Sequence, residues 1–182
     1  MKVVIIGIQG AGKSTQGNLI SKKFNIPYLS SGHIFREMAK EKTPLGRYMK
    51  EVLNSGSLVP DNKVLPIVEE YLKKPEYQRG YVLDGFPRTV PQAKKFTNGV
   101  DIVIYLKVSD KEALWRLSGR FDDSIRQDNT LQALRKRIDS FHKHTAPVLD
   151  HYRHQHLLVE VDGEQPIKTI FANIATILHQ IK

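Results

Sequence analysis

Near its N-terminus the chain reads Gly7-Ile8-Gln9-Gly10-Ala11-Gly12-Lys13-Ser14, which matches the phosphate-loop pattern G-x-x-x-x-G-K-[ST]. The apolar run that precedes it, residues 3–8, is typical of a buried parallel strand. The segment that follows, residues 14–24, has apolar residues at helical spacing. Strand, glycine-rich turn and helix in this order place backbone N–H groups and the positive end of a helix dipole around one anion. The stretch therefore predicts a site that binds nucleotide phosphates.

Strand and helix patterns alternate along the rest of the chain. Further strands are predicted at residues 27–29, 81–84, 101–108 and 157–161. Five strands separated by helices favour an α/β fold with a doubly wound, five-stranded parallel sheet. A long helix is predicted over residues 130–152, and Pro147 must bend or interrupt it.

Two segments depart from this alternation. Residues 32–73 have helical patterns with too little strand content for a β-α unit, so we interpret them as a helical insertion beside the sheet. Residues 119–129 are polar and indicate a loop. At 182 residues the chain is long enough for one core and too short for two ordinary domains.

Composition narrows the class of protein. Hydrophobic residues make up 40% and charged residues 26%, as in globular proteins, and we find no apolar run that could span a bilayer. The chain contains no cysteine, which excludes disulfides and a zinc site built on thiolates. Without signal-peptide features, the expected location is the cytoplasm.

The net charge of +9 allows two interpretations. A basic balance can indicate nucleic-acid binding, or it can reflect arginines that bind small phosphorylated ligands. The chain has no separate Lys/Arg-rich tail, which favours the second interpretation. Guanidinium groups suit phosphoryl transfer because they bind phosphate oxygens in pairs. The candidates are Arg36, Arg88, Arg116, Arg120, Arg126 and Arg137.

Asp84 is the candidate metal residue. It ends a predicted apolar strand, and the carboxyl ends of parallel strands line the ligand crevice of such sheets. A carboxylate there can hold Mg²⁺ directly or through water.

With these motifs in place, the chain resembles the adenylate kinases over nearly its whole length. The most specific match is Asp84-Gly85-Phe86-Pro87-Arg88-Thr89-Val90-Pro91-Gln92. Three other stretches add to the likeness beside the phosphate loop: Leu29-Ser30-Ser31-Gly32 with Arg36, Leu58-Val59-Pro60-Asp61, and Val161-Asp162-Gly163.

The resemblance implies a P-loop NTPase-type fold in one domain, residues 1–182. Its core would comprise residues 1–30, 74–118 and 130–182, with an NMP-binding insertion at 31–73 and a short lid at 119–129. It also implies reversible phosphoryl transfer from Mg-ATP to AMP, giving two ADP, by a monomer. We expect ATP, AMP and ADP as partners, Mg²⁺ as cofactor, and neither a membrane nor nucleic acid. Both the insertion and the lid are expected to close over the nucleotides.

Roles for individual residues follow from the same resemblance. Catalytic roles fall to Lys13, Arg88, Arg120, Arg126 and Arg137. The ATP site would comprise Gly10, Ala11, Gly12, Lys13, Ser14, Thr15, Arg116, Arg120 and Gln165. The AMP site would comprise Ser31, Arg36, Ser57, Leu58, Val59, Gly85, Arg88, Gln92, Arg126 and Arg137. Mg²⁺ would contact Ser14, and Asp84 through water.

Two alternatives remain open at the level of sequence. UMP/CMP kinases share the scaffold, although Gln92 and the hydroxyl of Ser31 favour AMP. A nucleic-acid-binding protein on the same fold would account for the charge of +9, but we find no basic patch interleaved with base-stacking aromatic residues.

Overall fold

The computed structural model describes residues 1–118 and 131–181. A single parallel sheet has the strand order β2-β3-β1-β4-β5, which confirms the predicted doubly wound topology. The strands are β1 Lys2–Ile6, β2 Tyr28–Ser30, β3 Tyr81–Asp84, β4 Ile102–Lys107 and β5 Leu158–Asp162.

Helices cover both faces of this sheet. They are α1 Lys13–Phe24, α2 Ser31–Lys40, α3 Pro44–Asn54, α4 Asp61–Leu72, α5 Val90–Lys95, α6 Asp110–Ser118, α7 Leu131–Ser140, α8 Ala146–His154 and α9 Ile167–His179. In the central register Val4 lies between Leu83 and Val103, and all three are fully buried. Burial on both faces explains why these strands read as continuous apolar runs rather than as an alternating pattern.

The predicted insertion is helical, as expected. Helices α2, α3 and α4 connect β2 to its parallel neighbour β3, so the segment leaves the carboxyl end of β2 and returns to the amino end of β3. Its interior is anchored by Phe35, Met49 and Val68, all of which belong to the main hydrophobic core. The start of α3 has two clear causes: Thr43 caps the helix through a hydrogen bond from the Gly46 N–H, and Pro44 occupies its first turn.

The long helix predicted over residues 130–152 is interrupted, as Pro147 indicated. Helix α7 ends at Ser140, a π-helical turn spans Phe141–Thr145, and α8 starts at Ala146. Pro147 lies in the first turn of α8, directly after the π-helical turn, and its missing N–H removes one bond from the helical hydrogen-bond ladder at this junction.

We find no helix in the described part of the chain that is both long and apolar enough to cross a membrane.

Candidate active site

The phosphate loop forms the turn between β1 and α1. Gly10 has φ +94°, and a Cβ there would lie 2.7 Å from the carbonyl oxygen of Ala113, so only glycine fits this turn. Gly12 also has positive φ and caps α1. The Lys13 ammonium donates hydrogen bonds to the carbonyl oxygens of Gly7 at 2.8 Å and Ile8 at 3.0 Å, which folds it back over the loop.

The other residues predicted to bind phosphate lie in the same loop and at the start of α1. Ala11 is buried and its N–H donates to the Ile8 carbonyl, while Ser14 and Thr15 lie in the first turn of α1. Ser14 is exposed, and Thr15 is half-buried.

A cavity opens beside this loop, at the carboxyl ends of β1 and β3. Four segments form its walls: the phosphate loop, the insertion, the turn after β3, and the junction of α7 with the π-helical turn. Seven of the predicted site residues line this cavity: Lys13, Arg36, Ser57, Leu58, Gly85, Arg88 and Arg137.

Three arginines make the cavity strongly positive. Desolvation is the main cause that lowers the pKa of Arg88, the nearby charges of Arg137 and Arg36 lower it further, and Asp84 opposes them. Because solvent still reaches Arg88 through the cavity, the shift leaves it a cation at any physiological pH. Its Nε donates to the Gly85 carbonyl at 2.7 Å, and Arg137 Nη2 donates to the Leu53 carbonyl at 3.0 Å. Guanidinium groups held in this way are suited to bind phosphate oxygens.

Asp84 lies at the end of β3, where only 7% of its surface is exposed. Its Oδ2 accepts a hydrogen bond of 2.7 Å from the Tyr28 hydroxyl. Desolvation, and then the Asp84 charge, raise the pKa of that hydroxyl far above its ordinary value, so Tyr28 stays a donor to the carboxylate.

The residues near the loop fit Mg²⁺. Asp84 and Ser14 offer oxygen atoms, which are the ligands this ion prefers. No group of three or more His, Cys, Asp or Glu residues capable of holding a metal occurs within residues 1–118 and 131–181. An ion here would therefore be coordinated largely by phosphate oxygens and water, as Mg²⁺ commonly is.

Gln92 lies behind the cavity wall rather than in it. Only 2% of this residue is exposed. Its Oε1 accepts a hydrogen bond from the backbone N–H of Arg88, and its Nε2 donates to Asp61 Oδ1, both at 2.7 Å.

Ser31, at the start of the insertion, and Val59, between α3 and α4, are buried as well. The Ser31 hydroxyl has no hydrogen-bond partner among the described residues. It packs against the turn after β3, since a Cβ on Gly85 would lie 2.6 Å from it. A buried hydroxyl of this kind leaves hydrogen-bonding capacity for a ligand at that turn.

Arg116 joins α6 to the loop after β5, away from the cavity lining. Its Nε donates to Glu112 Oε1 at 2.7 Å, and its Nη1 donates to the Gly163 carbonyl at 2.9 Å. In the same loop Gln165 donates to Asp162 Oδ2 at 2.8 Å, which holds the pKa of that carboxyl below its ordinary value. Arg116 and Gln165, both predicted for the ATP site, thus contact the same loop after β5.

Arg120 and Arg126, together with the predicted lid at 119–129, lie outside the described residues.

Some lining residues were not anticipated from the sequence. Phe141 and Thr145 belong to the π-helical turn, and Thr145 donates from its hydroxyl to the Arg88 carbonyl at 3.0 Å. Pro147 indicated a break in the helix near this place, but nothing in the local sequence shows that the break faces the cavity.

Comparison with known proteins agrees with this geometry. The family model described as adenylate kinase matches residues 5–157. The adenylate kinase of Clostridium botulinum (strain Langeland) is 35% identical, with all of both chains covered. That of Brevibacillus brevis is 35% identical over 98% of this chain and 99% of the relative. That of Cyanothece sp. (strain PCC 7425) is 37% identical over all of this chain and 96% of the relative. A family match across most of the chain and full-length relatives above 30% identity lead to the conclusion that this chain belongs to the adenylate kinase family.

Proposed function

We propose that this adenylate kinase binds ATP on the phosphate loop and AMP in the arginine-lined cavity, and that it transfers the γ-phosphoryl group between them to give two ADP. One observation supports this assignment above others. The cavity has the Lys13 side of the phosphate loop on one wall and Arg36, Arg88 and Arg137 on the others. A donor and an acceptor phosphate can therefore meet in one positively charged space.

The reacting phosphates would be held mostly by charge. Lys13 and the amides of residues 10–15 bind the β and γ phosphates of ATP, while Arg36 and Arg88 hold the phosphate of AMP. Charge spreads over the equatorial oxygens of the moving group at the transition state, and Arg137 would meet it there. Arg120 and Arg126 are proposed for the same task.

The Thr145 hydroxyl would keep Arg88 in place. Its hydrogen bond to the Arg88 carbonyl fixes the backbone from which the guanidinium extends. Because phosphoryl transfer depends on alignment of the two phosphates, a small displacement of Arg88 would slow it.

The cofactor assignment follows the family, which uses Mg-ATP. Ser14 and, through water, Asp84 would hold Mg²⁺ beside the β and γ phosphates. When bound, the ion neutralises part of the charge on the phosphate oxygens. The Tyr28 hydroxyl orients the Asp84 carboxylate for this role by holding one of its oxygens.

The two bases would lie on separate elements. The ATP base would stack on Arg116 and lie near Gln165, in the loop after β5. The AMP base would be read by Gln92, next to Ser31, Ser57, Leu58, Val59 and Gly85. A carboxamide offers one donor and one acceptor in a plane, which matches N1 and the 6-amino group of adenine.

We further propose the domain organisation that the sequence predicts. Residues 31–73 act as the NMP-binding insertion and residues 119–129 as a short lid, and both exclude water from the γ-phosphate. On the family resemblance and the lack of cysteine, we expect a cytoplasmic monomer.

The role of Gln92 is tested by Gln92→Ala, assayed with ATP and each of AMP, CMP, UMP and GMP. Loss of two hydrogen bonds in a closed site costs about 1–3 kcal/mol, so kcat/KM for AMP is expected to fall roughly ten- to hundredfold. Gln155→Ala, at an exposed glutamine after α8, is the matched control. If the preference for AMP survives unchanged in Gln92→Ala, another residue reads the base.

A further inference from the structure

Asp61 links the insertion to the helix that carries Gln92. It is the first residue of α4 and is half-buried. Its Oδ1 accepts a hydrogen bond of 2.7 Å from Gln92 Nε2, and its Oδ2 accepts one of 2.9 Å from the Thr89 hydroxyl. The Thr89 oxygen in turn accepts from the backbone N–H of Gln92 and so caps α5. One carboxylate thus joins the N-termini of α4 and α5.

On its other side the Gln92 carboxamide contacts a hydrogen-bond donor, the backbone N–H of Arg88. Its Oε1 accepts from the backbone N–H of Arg88 at 2.7 Å. A carboxylate can only accept hydrogen bonds and a backbone N–H can only donate them. If the carboxamide turned over, its oxygen would face Asp61 and its NH₂ group would face the N–H of Arg88. Both contacts would then be mismatched, each at the cost of a buried polar group without a partner.

We propose that Asp61 determines the choice of acceptor base, because it fixes which way round the Gln92 carboxamide lies. Asp61 acts through Gln92 and is a positioning residue that does not itself touch the nucleotide. The inference rests on the proposed function, in which Gln92 reads the base of AMP.

The orientation leaves a defined pair of groups for the base. Within residues 1–118 and 131–181, each polar atom of the Gln92 side chain has one hydrogen-bond partner. One N–H and one oxygen lone pair therefore remain. These match adenine, whose N1 accepts and whose 6-amino group donates.

A 6-oxo purine presents the reverse pair. In hypoxanthine, the base of IMP, N1–H donates and the 6-oxygen accepts, so both groups meet a like partner on the fixed carboxamide. Only a turned carboxamide would match this base, and Asp61 together with the Arg88 N–H opposes the turn. The same reasoning applies to guanine. The network thus provides discrimination between 6-amino and 6-oxo purines without any direct contact from Asp61.

The test compares kcat/KM for AMP and IMP, with saturating ATP, in Asp61→Ala, Asp61→Asn and Gln92→Ala. In Asp61→Ala one of the two anchors is lost, and the AMP-to-IMP ratio is expected to fall about tenfold or more. In Asp61→Asn the ratio should fall about as much as in Asp61→Ala, since an amide of the same shape can accept from Gln92 in one orientation and donate to a turned Gln92 in the other, while its oxygen accepts from Thr89. Glu70→Ala, at an exposed carboxylate on the same helix, is the charge-matched control and should leave the ratio unchanged.

Two further measurements separate positioning from a general loss of structure. The KM for ATP and the melting temperature are recorded for every variant, because a merely structural role of Asp61 would lower stability without changing the ratio. Should Asp61→Ala fail to fold, Asp61→Ser tests the same point, since a hydroxyl can donate as well as accept and does not fix the carboxamide.

The outcomes are distinguishable. An unchanged ratio in folded Asp61→Ala, with a reduced one in Gln92→Ala, would overturn the role of Asp61 and leave Gln92 as the reader. A wild-type ratio in folded Asp61→Asn would overturn the orienting argument as well, since an amide that can donate or accept does not fix the direction of the Gln92 carboxamide. An unchanged ratio in Gln92→Ala would overturn both assignments, and absence of AMP turnover in the wild type would refute the proposed function itself.

Discussion

Lys13 is the single side chain on which transfer should depend most. It lies where the phosphate loop meets the cavity, and its ammonium group already bridges two loop carbonyls. We expect Lys13→Met to lower turnover by about a thousandfold or more, because the cation that meets the developing charge is removed while the loop backbone remains. ADP formation measures the loss, and circular dichroism checks that the variant is folded.

The matched control is Lys22→Met, at an exposed lysine in the last turn of the same helix. It should keep turnover close to that of the wild type. A folded Lys13→Met protein with near wild-type turnover would show that this lysine has no part in the reaction.

Tyr152 is a single residue that we expect to affect the free energy of unfolding rather than catalysis. It is 2% exposed, and its buried hydroxyl has no hydrogen-bond partner in the described part of the chain. Desolvation raises the pKa of this hydroxyl to about 12, above its ordinary value of 10. Below pH 10 the group is neutral in both states. As the pH rises from 10 through 12, the unfolded chain loses the proton first, so the free energy of unfolding falls.

We therefore expect Tyr152→Phe to be at least as stable as the wild type at pH 7, by up to about 1 kcal/mol, since an unpaired polar atom is removed. Between pH 10 and 12 it should lose less stability than the wild type. Urea denaturation at several pH values measures both effects. A lower midpoint for the phenylalanine variant at pH 7 would mean that the hydroxyl is bonded after all.

At the scale of whole elements, the strands were the most predictable part. The central strands β1, β3 and β4 are apolar runs, and burial on both faces makes such runs continuous. The edge strands β2 and β5 are less buried and contain polar residues. The interruption before α8 could also be predicted from the sequence, because proline lacks the N–H that a helix interior requires. The π-helical turn that forms there was not, because no residue type specifies it.

The sequence predicts which residues belong to the site better than it predicts what each of them contacts. The phosphate loop and the turn after β3 carry local patterns that fix their place at the ends of β1 and β3. The position of Gln92 behind the wall, bonded to Asp61, depends on how α4 packs beside α5, and that packing has no local signature. Thr145 escaped notice for the same reason, since its partner Arg88 is distant in sequence.

The insertion is the element whose movement can be tested. Helices α2 to α4 leave the sheet at β2 and return at β3, and they bring Arg36 and Ser57 to the cavity. Transfer requires that water be kept from the γ-phosphate, so we expect closure when both nucleotide sites are filled. A bisubstrate inhibitor with two adenosines linked by phosphates should lower the radius of gyration in X-ray scattering. Adenosine alone, which lacks phosphates for the arginines, should leave the radius of gyration unchanged. Identical scattering curves with and without saturating inhibitor would argue against closure.

The whole molecule brings these parts together through its topology. All five strands are parallel, so their carboxyl ends share one edge of the sheet, and the phosphate loop, Asp84 and the turn that carries Arg88 meet there. The insertion adds Arg36 and helix α7 adds Arg137, both from elements outside the sheet. The cavity lining thus contains four cationic side chains, Lys13, Arg36, Arg88 and Arg137, and we propose that they bind the nucleotide phosphates.

The central claim is transfer from ATP to AMP, and it is tested by ADP formation from ATP with AMP, CMP, UMP and GMP in separate reactions of the wild-type protein. We expect two ADP for each AMP consumed, and a kcat/KM for AMP at least about tenfold above that for any other monophosphate. A preference for CMP or UMP would assign the pyrimidine nucleotides as acceptors while the phosphate chemistry stands. No ADP from ATP and AMP, with folded protein and Mg²⁺ present, would contradict the account.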